Sequence, residues 1–471
     1  DYFEAFDDVL NVIEDNRVDR VVIGLPLDMD GTEGRSAKKA RRWSTNLVTR
    51  LEHERNDPQS GITWTPDVML IDERLTTVDA HRRLFDAQID SRHHRAVVDQ
   101  QSAVTILQMA LHFPSDTFVM YAAGGPNAMS EKLTELPNVE LCGPQSEMMR
   151  RLPTWWRTLE VGRQALADGC DLYHGLSNEI PINSSRVDLP TVVTIHDVIW
   201  RRCPSDYKAV DRAVYDYKYG TSARQADIVI AISERTKADL VQEFNIDPAK
   251  IRVIYQGVDA MFAPVGSEAV AAVRAKYGLP ERYIACVGTV QGRKNQLLAV
   301  KGLRALPADV KLVIVGRRTD YAKELDSYIA SKGLRDRVVW LEGIPFADLP
   351  AIYTGARAAA YVSRYEGFGL PVVEALRCGT PVIAATGSCL EEAGGRGAIY
   401  VGPDDVGAYA EAALRLVDDA YFRDKTASLG QRHLRTFSDS EFARKTMAAY
   451  QLAILNHYSD GLSDLGQLSN K

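Results

Sequence analysis

Short, unbroken apolar runs recur along almost the whole chain, and this pattern constrains the fold more than any other. They lie at 20–24, 68–71, 117–121, 172–174, 192–195, 228–232 and 252–255, then at 283–287, 310–315, 338–341, 358–362, 382–384 and 398–401. Most do not alternate with polar residues, so each reads as a strand buried on both faces. Helical periodicity fills the intervals. Strands that alternate with helices form parallel sheets with helices on their faces, so the expected fold class is α/β.

Composition narrows the function. The 471 residues are 45% hydrophobic and 25% charged, ordinary for a globular chain of two to four domains. The net charge of −7 argues against general affinity for nucleic acid. Six cysteines, at 142, 170, 203, 286, 378 and 389, form no Cys-x-x-Cys pair. That spacing argues against zinc and against a disulfide framework, and suits a reducing, cytoplasmic setting. No apolar run is long enough to span a bilayer. The chain begins at Asp1, so the lack of a targeting segment carries little weight.

The most informative segment is 363–376, Ser-Arg-Tyr-Glu-Gly-Phe-Gly-Leu-Pro-Val-Val-Glu-Ala-Leu. It reads as a strand end, a glycine turn and a helix with Pro371 in its first turn; Gly379 closes the helix. Exposed N–H groups at such a terminus bind phosphate. Glu366 and Glu374 flank it, and carboxylates repel phosphate, so they are aimed at sugar hydroxyls. A diphosphate cradle beside hydroxyl acceptors suits a nucleotide-sugar.

This segment resembles the Glu-x7-Glu signature of glycosyltransferase family 4, whose members are retaining enzymes of GT-B fold. The resemblance covers roughly residues 114–460. It implies that Glu366 contacts the donor sugar and Glu374 the ribose. A second motif, Cys-Val-Gly-Thr-Val-Gln-Gly-Arg-Lys-Asn at 286–295, matches the family's Gly-Thr-x-x-x-Arg-Lys-Asn. The implied donor contacts are Gly288, Thr289, Arg293 and Lys294, with Gly367, Phe368, Gly369 and Leu370 at the helix opening. Arg293 and Lys294 are cations suited to a diphosphate. His196 ends a strand, where ligands of open parallel sheets bind; the resemblance puts it beside the donor sugar, and a His-Asp helix cap is the alternative. Ser233 reads as an N-cap or a ligand contact. Ser-Cys-Leu-Glu-Glu at 388–392 departs from the family's Ser-x-x-Pro-Glu, leaving the roles of Glu391 and Glu392 open.

No metal is expected in the transferase half, where no Asp-x-Asp occurs; Asp28-Met29-Asp30 lies outside it. No cofactor is required beyond the donor substrate, GDP-mannose or a UDP-sugar. Arg293, Lys294 and the amides of 367–369 would stabilise the leaving diphosphate. With no evident nucleophile, retention through same-face attack follows the family's proposed mechanism. The acceptor is a glycan or a lipid-linked one. Residues 148–157 mix Met, Trp and Arg; they read as a helix packed into the fold, or as a peripheral contact at the inner face of the membrane.

Residues 1–112 carry different motifs: Val-Ile-Gly-Leu-Pro-Leu-Asp-Met-Asp-Gly-Thr-Glu-Gly at 22–34, Ile-Asp-Glu-Arg-Leu-Thr-Thr at 71–77 and Val-Asp-Gln-Gln-Ser-Ala-Val-Thr-Ile-Leu-Gln at 98–108. Together they resemble the YqgF family of RNase H-like nucleases, linked to pre-16S rRNA processing and similar to Holliday-junction resolvases. Glu73 and Asp99 match two of that family's metal-binding carboxylates. The third belongs to a first strand that this chain starts beyond, so these two are expected to be vestigial, and nucleic acid is a partner only of an intact nuclease. The transferase half is also expected to lack its first strand, for which 21–25 is one conceivable substitute. A fusion is the implied origin.

The expected organisation is therefore a truncated RNase H-like domain at 1–113 and an N-terminal Rossmann-like transferase domain at 114–263. A nucleotide-sugar-binding Rossmann-like domain follows at 264–436, and helices at 437–471 cross back. The expected function is retaining glycosyl transfer. The rivals are a metal-dependent nuclease of RNA or DNA junctions and a non-catalytic nucleotide-sugar binder.

Overall fold

A computed structural model of the chain describes residues 9–10, 13–14, 18, 20–25, 35–56, 62, 64–72, 94–123, 125 and 128–468. It divides into two compact units, Asp1–Asp86 and Ala87–Lys471.

In the first unit, β1 (Arg20–Leu25) and β2 (Asp67–Asp72) pair in parallel, with Arg20 opposite Asp67. Helix α1 (Arg35–Arg55) crosses between them. Its Leu47 and Leu51, one turn apart and fully buried, pack with Leu10, Ile13 and Ile62. The strand 21–25, conceivable as a transferase strand, instead pairs with β2 and joins none of the three other sheets. The reason is local: a βαβ crossover brings consecutive strands side by side.

The second unit starts at Ala87, upstream of the boundary expected near residue 113, and its first described element is α2 (His94–His112). Its N-terminal lobe holds β3 (Phe118–Tyr121) paired with β4 (Val139–Cys142). A separate four-stranded sheet runs β5 (Tyr173–Gly175), β6 (Thr191–Ile195), β7 (Ile228–Ala231) and β8 (Ile251–Val253). Helix α3 (Glu234–Phe244) follows β7.

The C-terminal lobe is a six-stranded sheet made of β9 (Tyr283–Val287), β10 (Lys311–Val315), β11 (Val338–Leu341), β12 (Ala358–Tyr361), β13 (Val382–Ala385) and β14 (Ala398–Val401). Their order is β11-β10-β9-β12-β13-β14. Helix α4 (Gln296–Gly302) follows β9, α5 (Leu370–Arg377) follows β12, and α6 (Val406–Asp418) follows β14. Every strand pair among the described residues is parallel. This is the doubly wound order, and its topological switch point lies between β9 and β12, where a crevice opens beyond the strand ends.

Helix α7 (Asp439–Leu468) closes the unit by crossing back to the N-terminal lobe. Ala449 and Ala453 pack against Val192, Ile228 and Ile230. His457 bonds Asp227 and Asp188 at 3.1 and 3.2 Å. Helix α2 lies against α7 with Leu107, Met109 and Ala110 buried. The apolar runs read from sequence all became strands within a residue or two. The one they omit, β4, buries only Val139 and exposes Glu140, so it carried no apolar run.

The C-terminal core is packed tightly enough to be tested. A β-carbon on Gly302 of α4 would fall on the ring of Tyr409, which α6 buries completely. Gly302→Ala should therefore lower unfolding free energy by about 1–3 kcal/mol, read from urea denaturation. An unchanged midpoint would show that α4 and α6 can separate freely.

Candidate active site

Two loops leave the switch point. The first runs from β9 through Gly288 (φ 138°) into a 3-10 turn over Gly292–Lys294. It is pinned by Asn295, in the left-handed region at φ 56°, whose Nδ2 donates to Val362 O at 3.2 Å and Pro403 O at 2.7 Å. The second runs from β12 through Ser363 and Glu366 to Gly369, which caps α5 at φ 104°. Gly369 brings no side chain to the cap, so the first N–H groups of α5 lack a side-chain acceptor. Pro371 fits that first turn because its missing N–H is not needed there.

The loops meet at one carboxylate. Glu366 Oε2 lies 2.7 Å from Arg293 Nη1, and Oε1 lies 2.6 Å from Lys294 Nζ. Ser363 Oγ and Tyr361 OH also donate to Oε1, at 2.6 and 3.1 Å. Arg293 and Glu366 are 8% and 7% exposed. Burial alone would raise the Glu366 pKa, but Lys294 and Arg293 outweigh it and bring it down to about 2. Lys294 is pulled below its ordinary value by burial, with the Arg293 charge adding to it against Glu366. One carboxylate is thus shared by two buried cations, with Asp197 near enough to Arg293, and Glu374 near enough to Lys294, for their charges to interact.

Glu374 projects from α5 one step away. Tyr353 OH donates to its Oε2 at 3.1 Å. Burial raises its carboxyl to about 7, with the charge of Asp259 adding to the rise.

The N-terminal lobe abuts this cluster. Gly367 lies so close to His196 that a β-carbon would fall on the His196 carbonyl oxygen. Gly367 O accepts from Ser233 Oγ at 2.6 Å, while the same oxygen of Ser233 caps α3 by accepting from Thr236 N. Glu392 completes that cap from the opposite lobe, accepting from Glu234 N at 2.7 Å and Arg235 N at 3.0 Å. Phe368 turns its ring away from the loop and stacks on Tyr255, with centroids 5.6 Å apart.

His196 is fully engaged. Nε2 donates to Leu176 O at 2.9 Å, and Nδ1 accepts from Gln256 Nε2 at 3.1 Å. Burial lowers its pKa, so the ring is neutral. Asp197 Oδ1 accepts from Ile199 N at 3.0 Å, a capping role.

Arg293, Lys294 and Glu366 thus converge, with Gly288, Gly367 and Gly369 around them; Glu374 and His196 flank the group. Thr289 contributes its carbonyl to Gln296 Nε2 at 3.0 Å, and Leu370 opens α5. Sequence reading gave no role to Tyr361, Ser363 or Gln256, which bond the candidate side chains. A tyrosine amid the alanines of β12 was the available signal. Glu73 lies outside the described residues. Asp99 lies on α2, with its side chain outside them. Among the described residues no group of three His, Cys, Asp or Glu could hold a metal ion, and no helix is long and apolar enough to cross a membrane.

Three family models match the chain. "Glycosyltransferase Family 4" matches residues 103–262 and "Glycosyl transferases group 1" matches 270–433, while the "Holliday junction resolvase" family RuvX matches 1–112. The chain is a RuvX-family segment joined to a family 4 glycosyltransferase. The two families overlap over 103–112, inside α2. A candidate pre-16S rRNA nuclease of Bifidobacterium longum subsp. infantis is 66% identical over 111 residues, 24% of this chain and 74% of that protein. The O-antigen chain mannosyltransferase B of Escherichia coli is 29% identical over 307 residues, 63% of this chain and 79% of that protein. The crystal structure of Anabaena HepE with UDP and glucose aligns with a TM-score of 0.59 at 20% identity, covering 74% of this chain and 95% of that one, and shares the GT-B fold.

The ion cluster has a definite pH signature. Its carboxylate sits at about 2, below the ordinary 4.5, so its stabilisation is complete above pH 4.5 and is lost as pH falls toward 2. Glu366→Gln, which leaves two buried cations unpaired, should cost about 3–5 kcal/mol at pH 7. The gap to the unsubstituted transferase should narrow below pH 4.5 in urea unfolding. Equal stability at pH 7 would show that the cluster contributes nothing net.

Proposed function

We propose that this glycosyltransferase moves a hexose, with retention, from a nucleoside-diphosphate sugar to a glycan acceptor. The carrying observation is the convergence of Arg293, Lys294 and Glu366 at the switch point of the C-terminal sheet. Arg293 and Lys294 meet the diphosphate, helped by backbone N–H groups at Thr289 and 367–370. Glu366 faces the donor sugar, and Glu374 accepts from the ribose hydroxyls. As the bond to the anomeric carbon breaks, the leaving diphosphate gains charge. The two cations are already in place to receive it, which lowers the barrier without reorganisation. His196, neutral and held at both nitrogens, serves as a wall beside the sugar rather than as a proton donor.

The E. coli mannosyltransferase favours a mannosyl donor, whereas the HepE complex favours a uridine one, so both GDP and UDP are to be tested. Exposed Met148, Leu152 and Trp155 beside Arg150 and Arg151 support a peripheral contact with a membrane that carries a lipid-linked acceptor.

Calorimetry tests this reading. Glu374→Ala should cost about 1.5–3 kcal/mol in GDP or UDP binding, the scale of hydrogen bonds to a charged group. Only the ionised Glu374 accepts from ribose, so its contribution should grow from pH 6 to pH 8 around its value of about 7. Against Glu374→Gln, the unsubstituted protein should gain roughly tenfold in affinity over that span. A pH-independent difference would remove Glu374 from the ribose site.

Changing Arg293 and Lys294 together to Ala should weaken diphosphate binding and leave nucleoside binding alone, with a smaller effect at high salt. Equal losses for both ligands would make these residues props of the fold.

A further inference from the structure

Tyr361 is the last residue of β12 and is 6% exposed. Its ring lies beneath both glycine turns of the crevice. A β-carbon on Gly288 would meet its Cε2 at 3.9 Å, and one on Gly369 its Cε1 at 3.8 Å. Its hydroxyl accepts from the Lys294 ammonium and donates to Glu366 Oε1 at 3.1 Å. The same ammonium lies 4.8 Å from the ring centroid, within cation–π range.

A buried tyrosine hydroxyl usually finds a partner, and a backbone carbonyl suffices. Tyr283 bonds Ile352 O and Tyr400 bonds Gly395 O in this way. Tyr361 differs, because both of its bonds go to charged side chains of the site. Lys294 has three N–H groups. Glu366 takes one and Tyr361 a second, which leaves one for a ligand. Lysine is otherwise a flexible point charge on a four-carbon stem, poorly suited to a fixed geometry.

We infer that Tyr361 is a positioning residue for the donor diphosphate, holding Lys294 so that its remaining N–H faces the space between the Gly288 and Gly369 turns. The inference rests on the donor reading above. Phenylalanine would fill the same volume under the turns and keep the ring beside the ammonium, but would remove the hydroxyl that fixes its direction. Space-filling and positioning therefore give opposite expectations for one substitution.

The test is calorimetry with UDP, GDP, uridine and guanosine on the full chain, with thermal melts as the folding control. Tyr361→Phe should weaken diphosphate binding about tenfold, leave nucleoside binding unchanged, and melt near the unsubstituted protein. In a Lys294→Ala background the same change should have no further effect, because the tyrosine acts through that lysine. Unchanged diphosphate affinity, equal losses for nucleoside and diphosphate, or additive losses in the double variant would each overturn the inference. If the unsubstituted protein binds neither diphosphate, the donor reading itself fails and takes this inference with it. Should Tyr361→Phe not fold, Tyr361→His must bind diphosphate more tightly than Tyr361→Leu; equal binding by those two would overturn positioning.

Discussion

One buried carboxylate shared between two cations governs the geometry of the crevice. Glu366 sits on the loop after β12, and Arg293 and Lys294 on the turn after β9. The pairing therefore fastens the two strands that flank the switch point at the level of their loops. Ion pairs of this kind are weak evidence for stability, because desolvation offsets much of the attraction. Here the pairing also fixes where the two cations sit, side by side at the mouth of the crevice.

The lobes meet at backbone as much as at side chains. Gly367 is a glycine because the His196 carbonyl occupies the space a β-carbon would need. Ser233 illustrates how one residue serves two levels of structure: it caps α3 locally and holds the Gly367 carbonyl across the cleft. The reading of Ser233 as a cap was sound on local grounds. Its bond to the opposite lobe had no local signal.

How much was legible follows from the same distinction. Buried parallel strands advertise themselves as apolar runs, so the sheets were readable almost end to end; β4, half polar and half exposed, was not. The residues that cluster in the crevice were legible because glycine turns, a helix-opening proline and adjacent cations each have a local cause. Tyr361 was not. It looks like core in sequence, and only the fold turns its hydroxyl toward Glu366. Glu392 was left open because its partners, the N–H groups of Glu234 and Arg235, lie 157–158 residues away in sequence. Likewise α2 reads as the end of one family and packs with α7 as the opening helix of the other.

The cap that Glu392 supplies to α3 makes the end of that helix a gauge of cleft opening. The Glu234 and Arg235 amides are satisfied by a carboxylate of the opposite lobe, not by their own. Any parting of the lobes would pass those two N–H groups to water while the rest of α3 kept its internal bonds. Their solvent-exchange rate would thus report the separation of the lobes directly, without turnover.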